Sequence, residues 1–345
     1  MRRAVFFGFL ALLSFAGAYL AARDRRAVNA TAEAIEHFRH GRETPADRRA
    51  LARAAAELCG FRLPPAGIEA DPHLVWADFL PGGDLELALA AQISPGSGFL
   101  ALLAARGDRW RLLCRLGPEE LGAPTSLSVL TIPGRAGVAL VLTDLADQMA
   151  GAFCRREDST IFGVKDGEWR RLWRREIESE AYWNRAWDHP PGRGWLCLAG
   201  RADWQIKTNE KGCRLLVTYR NSLAMGPPGA TLPESHDFTE GQQVRGEEEY
   251  RWDPQLDLFV LGYGRVKTPT RLLGPDGRPV VPPVFLPSGR PVAVLADEAA
   301  TPKALTGRVC LLRVHGDGRE GFLPPAAVAW PLPRPAGRGP KATLP

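Results

Sequence analysis

The 345-residue chain lacks the short motifs that mark common active sites. It contains no nucleophile elbow, P-loop, dinucleotide-binding fingerprint or metalloprotease helix. Its six cysteines and six histidines include no Cys-x-x-Cys pair and no Cys/His spacing typical of a zinc site. The sequence therefore predicts no catalytic residue, no cofactor and no bound metal. It favours a protein that is not an enzyme, without deciding the point.

Long hydrophobic runs are also scarce, which excludes a polytopic membrane protein. The one candidate is the uncharged stretch from Ala4 to Ala22, which follows two arginines. Cleavage after Ala18, at a small-x-small sequence, leaves an apolar region typical of a signal peptide. Left uncut, the 19-residue stretch is long enough to span a bilayer. Residues 1–26 are therefore predicted to be a signal peptide or a membrane anchor. The rest of the chain is expected outside the cytoplasm: secreted, periplasmic or held at the membrane by the N-terminus.

The central part of the chain also lacks an excess of basic residues, although the whole chain has a net charge of +5. Residues 1–26 carry a surplus of four positive charges and residues 331–345 a surplus of three, so residues 27–330 carry a net charge of −2. Nucleic-acid binding usually needs a basic face on the folded body. The sequence therefore predicts no nucleic-acid partner. The partners that remain possible are a cell-wall component, an envelope protein and, through an uncleaved leader, the membrane.

What is present indicates a globular, mainly β protein, with hydrophobic residues at 45% and charged residues at 24%. A helical segment is expected first, including a helix with Thr44 as its N-cap, Pro45 as its first residue and Gly60 as its stop. An earlier helix is expected from about Ala30 to Arg42. Short apolar runs between Gly, Pro and Asp turns then predict seven strands. These are Leu85–Ala91, Phe99–Ala104, Trp110–Cys114, Ser126–Ile132, Val138–Thr143, Thr160–Val164 and Glu168–Trp173.

Two of these strand pairs resemble each other, because in each a tryptophan follows the turn directly. The tryptophans, Trp110 and Trp169, are 59 residues apart. The pattern of short apolar runs and turns in residues 70–262 resembles degenerate FG-GAP or VCBS-type β-repeat envelope proteins. The segment Ala77–Leu89 is similar to the loop that enters a strand in that family. In that family such a loop can hold calcium. Here the acids that remain are Asp78, Asp84 and Glu86, too few for the six to eight oxygens that calcium prefers. The body is expected to be an antiparallel β-meander, propeller-like or a sandwich.

The C-terminal 60 residues form a distinct module. Residues Arg278–Asp297 predict a strand, a turn and an alternating strand, and they precede a hairpin of Val309–Val314 and Arg319–Pro325 around a His-Gly-Asp-Gly turn. This pattern resembles a bacterial SH3-like (SH3b) barrel, although the front-loop signature of that family is replaced by Pro-Val-Val-Pro-Pro. The domain organisation predicted from these patterns is 1–26 leader, 27–65 helical segment, 66–265 β-rich repeat-like domain, 270–330 SH3-like domain and 331–345 flexible tail.

Several polar groups have the right chemistry for a site, but the sequence gives each a simpler interpretation. His37 and His40 share a predicted helix face and are expected to be solvent-exposed. Ser235-His236-Asp237 is contiguous, whereas a catalytic triad assembles through space. The cluster Arg170, Arg171, Arg174 and Arg175 is expected on a solvated face, and Glu247-Glu248-Glu249 in a charged loop. Cys197 and Cys213 are the most plausible disulfide, with buried free thiols as the default for all six cysteines.

Six of the ten tryptophans fall within 36 residues: Trp169, Trp173, Trp183, Trp187, Trp195 and Trp204. Such aromatic residues either fill a core or offer a surface for sugars or a partner. The favoured function is an exported or anchored envelope protein that binds or scaffolds. The alternatives are a cell-wall-polymer hydrolase with an SH3-like targeting domain and a membrane-anchored assembly subunit. Two buried acids facing each other in a Trp-lined cleft would favour the hydrolase.

Overall fold

The structure, a computed structural model, describes residues 27–29, 36–38, 40–64, 68, 70–106, 109–149, 153–187, 194–209, 212–274, 277–297 and 311–329. The leader expected at 1–26, the tail at 331–345 and Cys310 lie outside these residues. Across the described ranges, no helix has both the length and the apolar character needed to cross a membrane. The fold is mainly β with antiparallel sheets, as the sequence predicted.

The main helix, α1 (Pro45–Cys59), begins and ends where its sequence signals predicted. The Thr44 hydroxyl accepts a hydrogen bond from the Asp47 N–H (3.2 Å), and the Asp47 carboxylate accepts one from the Thr44 N–H (2.9 Å). This reciprocal pair satisfies two amides that the first turn leaves without partners. Gly60, with φ of 77°, ends the helix in the left-handed conformation that glycine tolerates. Only residues 36–38 of the earlier predicted helix are described as helical.

The helix packs on an antiparallel sheet of five strands with the order β1-β5-β4-β3-β2. Their common core contains Leu51, Ala55, Leu87, Phe99 and Trp110. Three of the strands were predicted from short apolar runs between turn residues, whereas β1 and β2 were not. The strands are β1 (Ala27–Asn29), β2 (His73–Ala77), β3 (Glu86–Ser94), β4 (Ser97–Arg106) and β5 (Arg109–Leu116).

A second antiparallel sheet contains eight strands whose spatial order follows the chain, which confirms the expected meander. Its strand β9 is far longer than the run Glu168–Trp173 that the sequence indicated. The strands are β6 (Ala123–Leu130), β7 (Ala139–Asp147), β8 (Cys154–Lys165), β9 (Glu168–Asn184), β10 (Trp195–Asn209), β11 (Gly212–Met225), β12 (Thr239–Asp253) and β13 (Leu258–Val260). The two hairpins that resemble each other in sequence thus lie in different sheets, β4–β5 in the first and β8–β9 in the second.

The C-terminal sheet is a curled half-barrel with the order β19-β18-β17-β14-β20. Its core is made of aliphatic side chains, among them Val266, Leu272, Val294 and Leu323. The predicted hairpin is present, with Asp317 and Gly318 at positive φ in its turn. The strands are β14 (Gly262–Val266), β15 (Thr270–Arg271), β16 (Phe285–Leu286), β17 (Pro291–Asp297), β18 (Leu312–Gly316), β19 (Arg319–Leu323) and β20 (Val328–Ala329), with β15 and β16 forming a separate pair.

The chain divides into two compact units. The described residues up to Leu130, with 136–144 and 163–170, form the first unit. Residues 131–135, 145–162 and those from Arg171 onward form the second. The division at residue 130 falls inside the predicted 66–265 domain, and the boundaries predicted from composition stay predictions.

Candidate binding face of strands β9 to β12

The long strands of the second unit have two chemically different faces, because side chains alternate along a strand. The register places Leu198 opposite Leu223, Ala202 opposite Tyr219, and Tyr219 opposite Gly246. These residues share one face, here called the inner face, whose side chains are mostly buried. The other face, here called the outer face, carries mostly charged and polar residues from Glu178 on β9 to Glu247 on β12.

The inner face contains a buried ion pair. Arg175 donates from Nη1 to both carboxylate oxygens of Glu248, at 3.2 and 3.1 Å, and its guanidinium lies 5.1 Å from the centre of the Tyr219 ring. The Tyr250 hydroxyl donates to the same carboxylate at 2.5 Å. Burial is the largest single cause and acts to lower the pKa of Arg175, but the nearby Glu248, Tyr250, Tyr219 and Glu176 together outweigh it and raise that pKa. The Glu248 carboxylate is bound by both Arg175 and Tyr250, so the pair is a structural element.

This pair corrects two expectations from the sequence. Arg175 does not lie on a solvated face, because its position on β9 turns it inward. Its neighbour Arg174 turns to the opposite side and binds Asp158 at 2.6 Å. The glutamates 247–249 do not form a loop either, since they pair with β11 inside β12. Glu247 is exposed and Glu248 takes part in the ion pair with Arg175. The carboxylate of Glu249 is bound by Arg214 and Arg251.

Two buried carboxylates, Asp144 and Asp158, each have their own partners. Asp158 lies between Arg156 and Arg174 at 2.7 and 2.6 Å. Asp144 accepts the Gly122 N–H at 2.7 Å. Because these groups are already engaged, none has the arrangement of a free acid facing a second acid across a cleft.

In the acidic loop that resembles a calcium site, Glu86 binds backbone amides of the same loop. Glu86 is buried, and its carboxylate accepts the backbone N–H groups of Phe79 at 2.9 Å and Leu80 at 3.2 Å. Burial raises the pKa of Glu86 despite these two bonds. The carboxylate closes its own loop, and the described residues contain no group of three or more potential metal ligands.

The remaining polar candidates occupy exposed positions. His40 pairs with Glu36 at 3.3 Å, and His37 is also exposed. Ser235–Asp237 forms a single 3-10 turn, in which the Asp237 carboxylate accepts the Glu234 N–H at 3.1 Å. The turn therefore uses its aspartate for backbone capping and has no triad geometry.

Cys197 and Cys213, the pair that the sequence favoured if a disulfide formed, are not bridged. The two residues lie on neighbouring strands, but Cys197 pairs with Ala224 and Cys213 pairs with Thr208. They are thus eleven residues apart along β11, or about 36 Å at the usual rise per residue of a strand. The five described cysteines are thiols outside any disulfide, as the default expectation had it, and Cys59, Cys114 and Cys213 are buried.

The tryptophans divide between core and surface. Trp169, Trp173 and Trp195 are buried, as core packing predicts, and Trp183 and Trp204 are half-buried. Trp187 is different, because half of its surface (51%) is exposed. It follows β9 directly and makes edge contacts with Trp183 and Trp195, at centroid distances of 5.2 and 5.3 Å.

These rings form an aromatic platform, made of Phe153, Trp183, Trp187 and Trp195, at the end of the sheet where β9 and β10 are joined. By the register Trp195 belongs to the outer face and Trp183, opposite Leu196, to the inner face. Phe153 is stacked with Trp187 at 6.1 Å and contacts Trp195 edge-on at 5.7 Å. Trp195 lies opposite Asn184 on the outer face, and both side chains donate to the Gly229 carbonyl, at 3.1 and 2.8 Å. Packing on several sides holds the exposed Trp187 ring in place. The cluster was visible in the sequence, but which of its tryptophans is exposed was not.

The outer face also carries a row of basic side chains. Arg201 on β10 lies opposite Arg220 on β11, which lies opposite Arg245 on β12. All three residues are exposed. We call this set the arginine row. The arginine row was not predicted from the sequence, because its members are far apart in the chain and only the strand register brings them together.

The comparisons with known proteins assign no family to the chain: no family model matches it, and no curated protein matches it. A function for the chain has therefore to be inferred from its own geometry.

Proposed function

We propose that this protein is an exported or membrane-anchored bacterial envelope protein that binds a polymer of the cell wall without cleaving it. The observation that carries the proposal is the half-exposed Trp187, held by Phe153, Trp183 and Trp195. A fixed aromatic ring with one surface in water can stack on the apolar face of a sugar ring at little entropic cost.

The engaged carboxylates support binding over the alternative, a hydrolase of wall polymers. Hydrolysis of a glycoside needs two carboxyl groups about 5–10 Å apart across the scissile bond. The buried acids Asp144, Asp158 and Glu248 instead each bind a backbone amide or an arginine. The resemblance of the C-terminal half-barrel to SH3-like modules, carried by β17 and the β18–β19 hairpin, is part of the proposal as a second contact with the envelope.

The test is co-sedimentation of the purified full-length chain with bacterial sacculi. We expect the wild type to sediment and Trp187→Ala to bind about tenfold more weakly, the loss of one stacking contact. Trp187→Phe should keep most of the binding. Val129→Ala, which removes an exposed apolar side chain elsewhere, is the matched control.

Three outcomes would overturn the proposal. The wild type stays in the supernatant, Trp187→Ala sediments as well as the wild type, or the sacculi release soluble sugar during the incubation. The last result would support the hydrolase. The compartment is tested separately by the intact mass and N-terminus of the native protein from fractionated cells. A mature chain beginning at Tyr19 supports export, and a full-length chain in the membrane fraction supports anchoring. If external protease cannot reach the C-terminal module, the module lies inside the cell, which would contradict both export and anchoring with the body outside.

A further inference from the structure

We infer that the arginine row binds carboxylate groups of the wall polymer, so that the protein selects an acidic glycan. This inference rests on the proposed function and names the chemistry of the ligand. It begins from the register, which sets Arg201, Arg220 and Arg245 side by side on three adjacent strands. Directly opposed side chains are about 5 Å apart at Cβ, and like charges at that distance destabilise a sheet.

The arginine row is poorly neutralised by the protein itself. Arg220 pairs with Glu240 at 3.4 Å, but both side chains are more than half exposed, and such pairs contribute little. Arg245 donates to the amide oxygen of Gln243 at 3.5 Å. Arg201 makes no ion pair with any residue that the structure describes, although Glu178 lies opposite it on β9.

Besides Glu178 and Glu240, two acids on the same face are offset from the row along the strands. Asp203 on β10 and Glu247 on β12 lie two residues beyond Arg201 and Arg245, on the same face. They lower the net charge of the face but form no ion pair with the arginine row. Three guanidinium groups thus remain open to water. Their planar donor pairs match the two oxygens of a carboxylate.

A second basic row on the same face shows what a neutralised row looks like. Lys207 lies opposite Arg214, which lies opposite Arg251. Here the carboxylate of Glu249 binds Arg214 at 3.2 Å and Arg251 at 3.0 Å. The protein therefore supplies one carboxylate that binds two members of the second row, whereas the arginine row has only the exposed Arg220–Glu240 pair. This difference indicates that an external anion completes the arginine row.

The position of the row fits a glycan rather than an isolated anion. Trp195 of the aromatic platform and Arg201 are on the same face of β10, six residues or about 20 Å apart. An extended polymer that stacks one sugar on Trp187 can reach the arginine row a few sugar units further on. The two contacts then act on one ligand, and each raises the effective concentration of the other.

The test uses two preparations of the same sacculi, one native and one with its carboxylates converted to methylamides. Their binding to the full-length wild type is compared with that of two variants. The first, Arg201→Gln/Arg220→Gln, removes charge from the arginine row. The second, Lys207→Gln/Arg251→Gln, removes the same charge from the neutralised row. Unchanged melting temperatures check that both variants fold.

We expect the wild type to bind native sacculi about tenfold more tightly than amidated sacculi, the equivalent of about one charge-assisted hydrogen bond. The preference should weaken at high salt, because the arginines are exposed. Arg201→Gln/Arg220→Gln should bind both preparations equally, and Lys207→Gln/Arg251→Gln should keep the preference.

Each failure has a distinct meaning. Equal wild-type binding to both preparations, or a preference that survives in Arg201→Gln/Arg220→Gln, overturns the inference and leaves the proposed function standing. No binding to either preparation overturns the proposed function as well. If inorganic polyphosphate or phosphatidylglycerol vesicles bind as tightly as native sacculi and Trp187→Ala has no effect, the face is a general polyanion site and the inference is wrong.

Discussion

Arg175 and Glu248 form a buried ion pair that links β9 to β12 across the two strands between them. The side chains retain 9% and 7% of their exposure. Removing one partner of such a pair leaves a charge buried without compensation, which typically costs about 3–5 kcal/mol. We expect Arg175→Met to lower the free energy of unfolding by about this amount, measured by urea denaturation.

The double variant Arg175→Met/Glu248→Leu is the control for this pair. Because it removes both charges, we expect it to be more stable than Arg175→Met alone. A single variant that unfolds at the same urea concentration as the wild type would contradict the structural role of the pair.

Gly246 gives a second prediction, because a side chain at this position has no room. The ring and hydroxyl of Tyr219 lie where a Cβ would be, and Tyr219 is itself packed against Arg175. We expect Gly246→Ala to cost about 1–3 kcal/mol of stability through overpacking. Gly82→Ala is the control, since nothing lies within 4 Å of its Cβ position. Equal melting temperatures for the two variants would show that Tyr219 moves aside without cost.

The raised pKa of Glu86 predicts that the free energy of unfolding depends on pH. Burial raises its pKa above the ordinary value of 4.5, so in the window above that value the folded chain holds more protons than the unfolded chain. The contribution of this residue to stability therefore falls as pH rises through the window. Glu86→Gln keeps an oxygen acceptor for the Phe79 and Leu80 amides but does not ionise.

We expect Glu86→Gln to gain stability relative to the wild type as pH rises through this window. Below it, where the wild-type carboxyl is protonated in both states, the difference between the two proteins should be constant. Urea unfolding of both proteins from about pH 4 to about pH 7 measures this. A difference that does not change with pH would contradict the raised pKa.

The cysteines give a chemical prediction. Burial, followed by the nearby Glu180, raises the pKa of Cys197 to about 11, so its reactive thiolate is rare at neutral pH. We expect slow alkylation of Cys197 in the folded protein and full alkylation of Cys197 and Cys213 after denaturation without reductant. Peptide mapping by mass spectrometry measures both. A peptide pair linked between these two cysteines would contradict the register of β10 and β11.

Features with local causes were predicted correctly from the sequence. The capping box at Thr44 and the stop at Gly60 depend on residues a few positions away. The tight turn at Asp166-Gly167 follows from the tolerance of these two residues for positive φ. The central segments of most strands in residues 85–173 were likewise visible as short apolar runs between turn residues.

Strand β9 was predicted too short for a physical reason. After Trp173 the sequence of β9 becomes highly charged, and Arg175 breaks the alternation of apolar and polar residues. The charge is tolerated in a buried position only because Glu248, 73 residues later, reaches the same place. The residues near Arg175 in the sequence do not indicate such a partner. In the same way, the residues near Glu248 do not indicate Arg175, and Glu247–Glu249 were therefore predicted as a loop.

The sequence by itself determined the capped helix, the central segments of β3 to β9 and the mainly β class, because these depend on neighbouring residues and on local runs of apolar side chains. Only the tertiary structure decided which side chains meet. The arginine row, the separation of Cys197 from Cys213 and the exposure of Trp187 all depend on strand register and packing. A register is set by contacts between distant segments, and a shift of one residue would move every side chain to the other face.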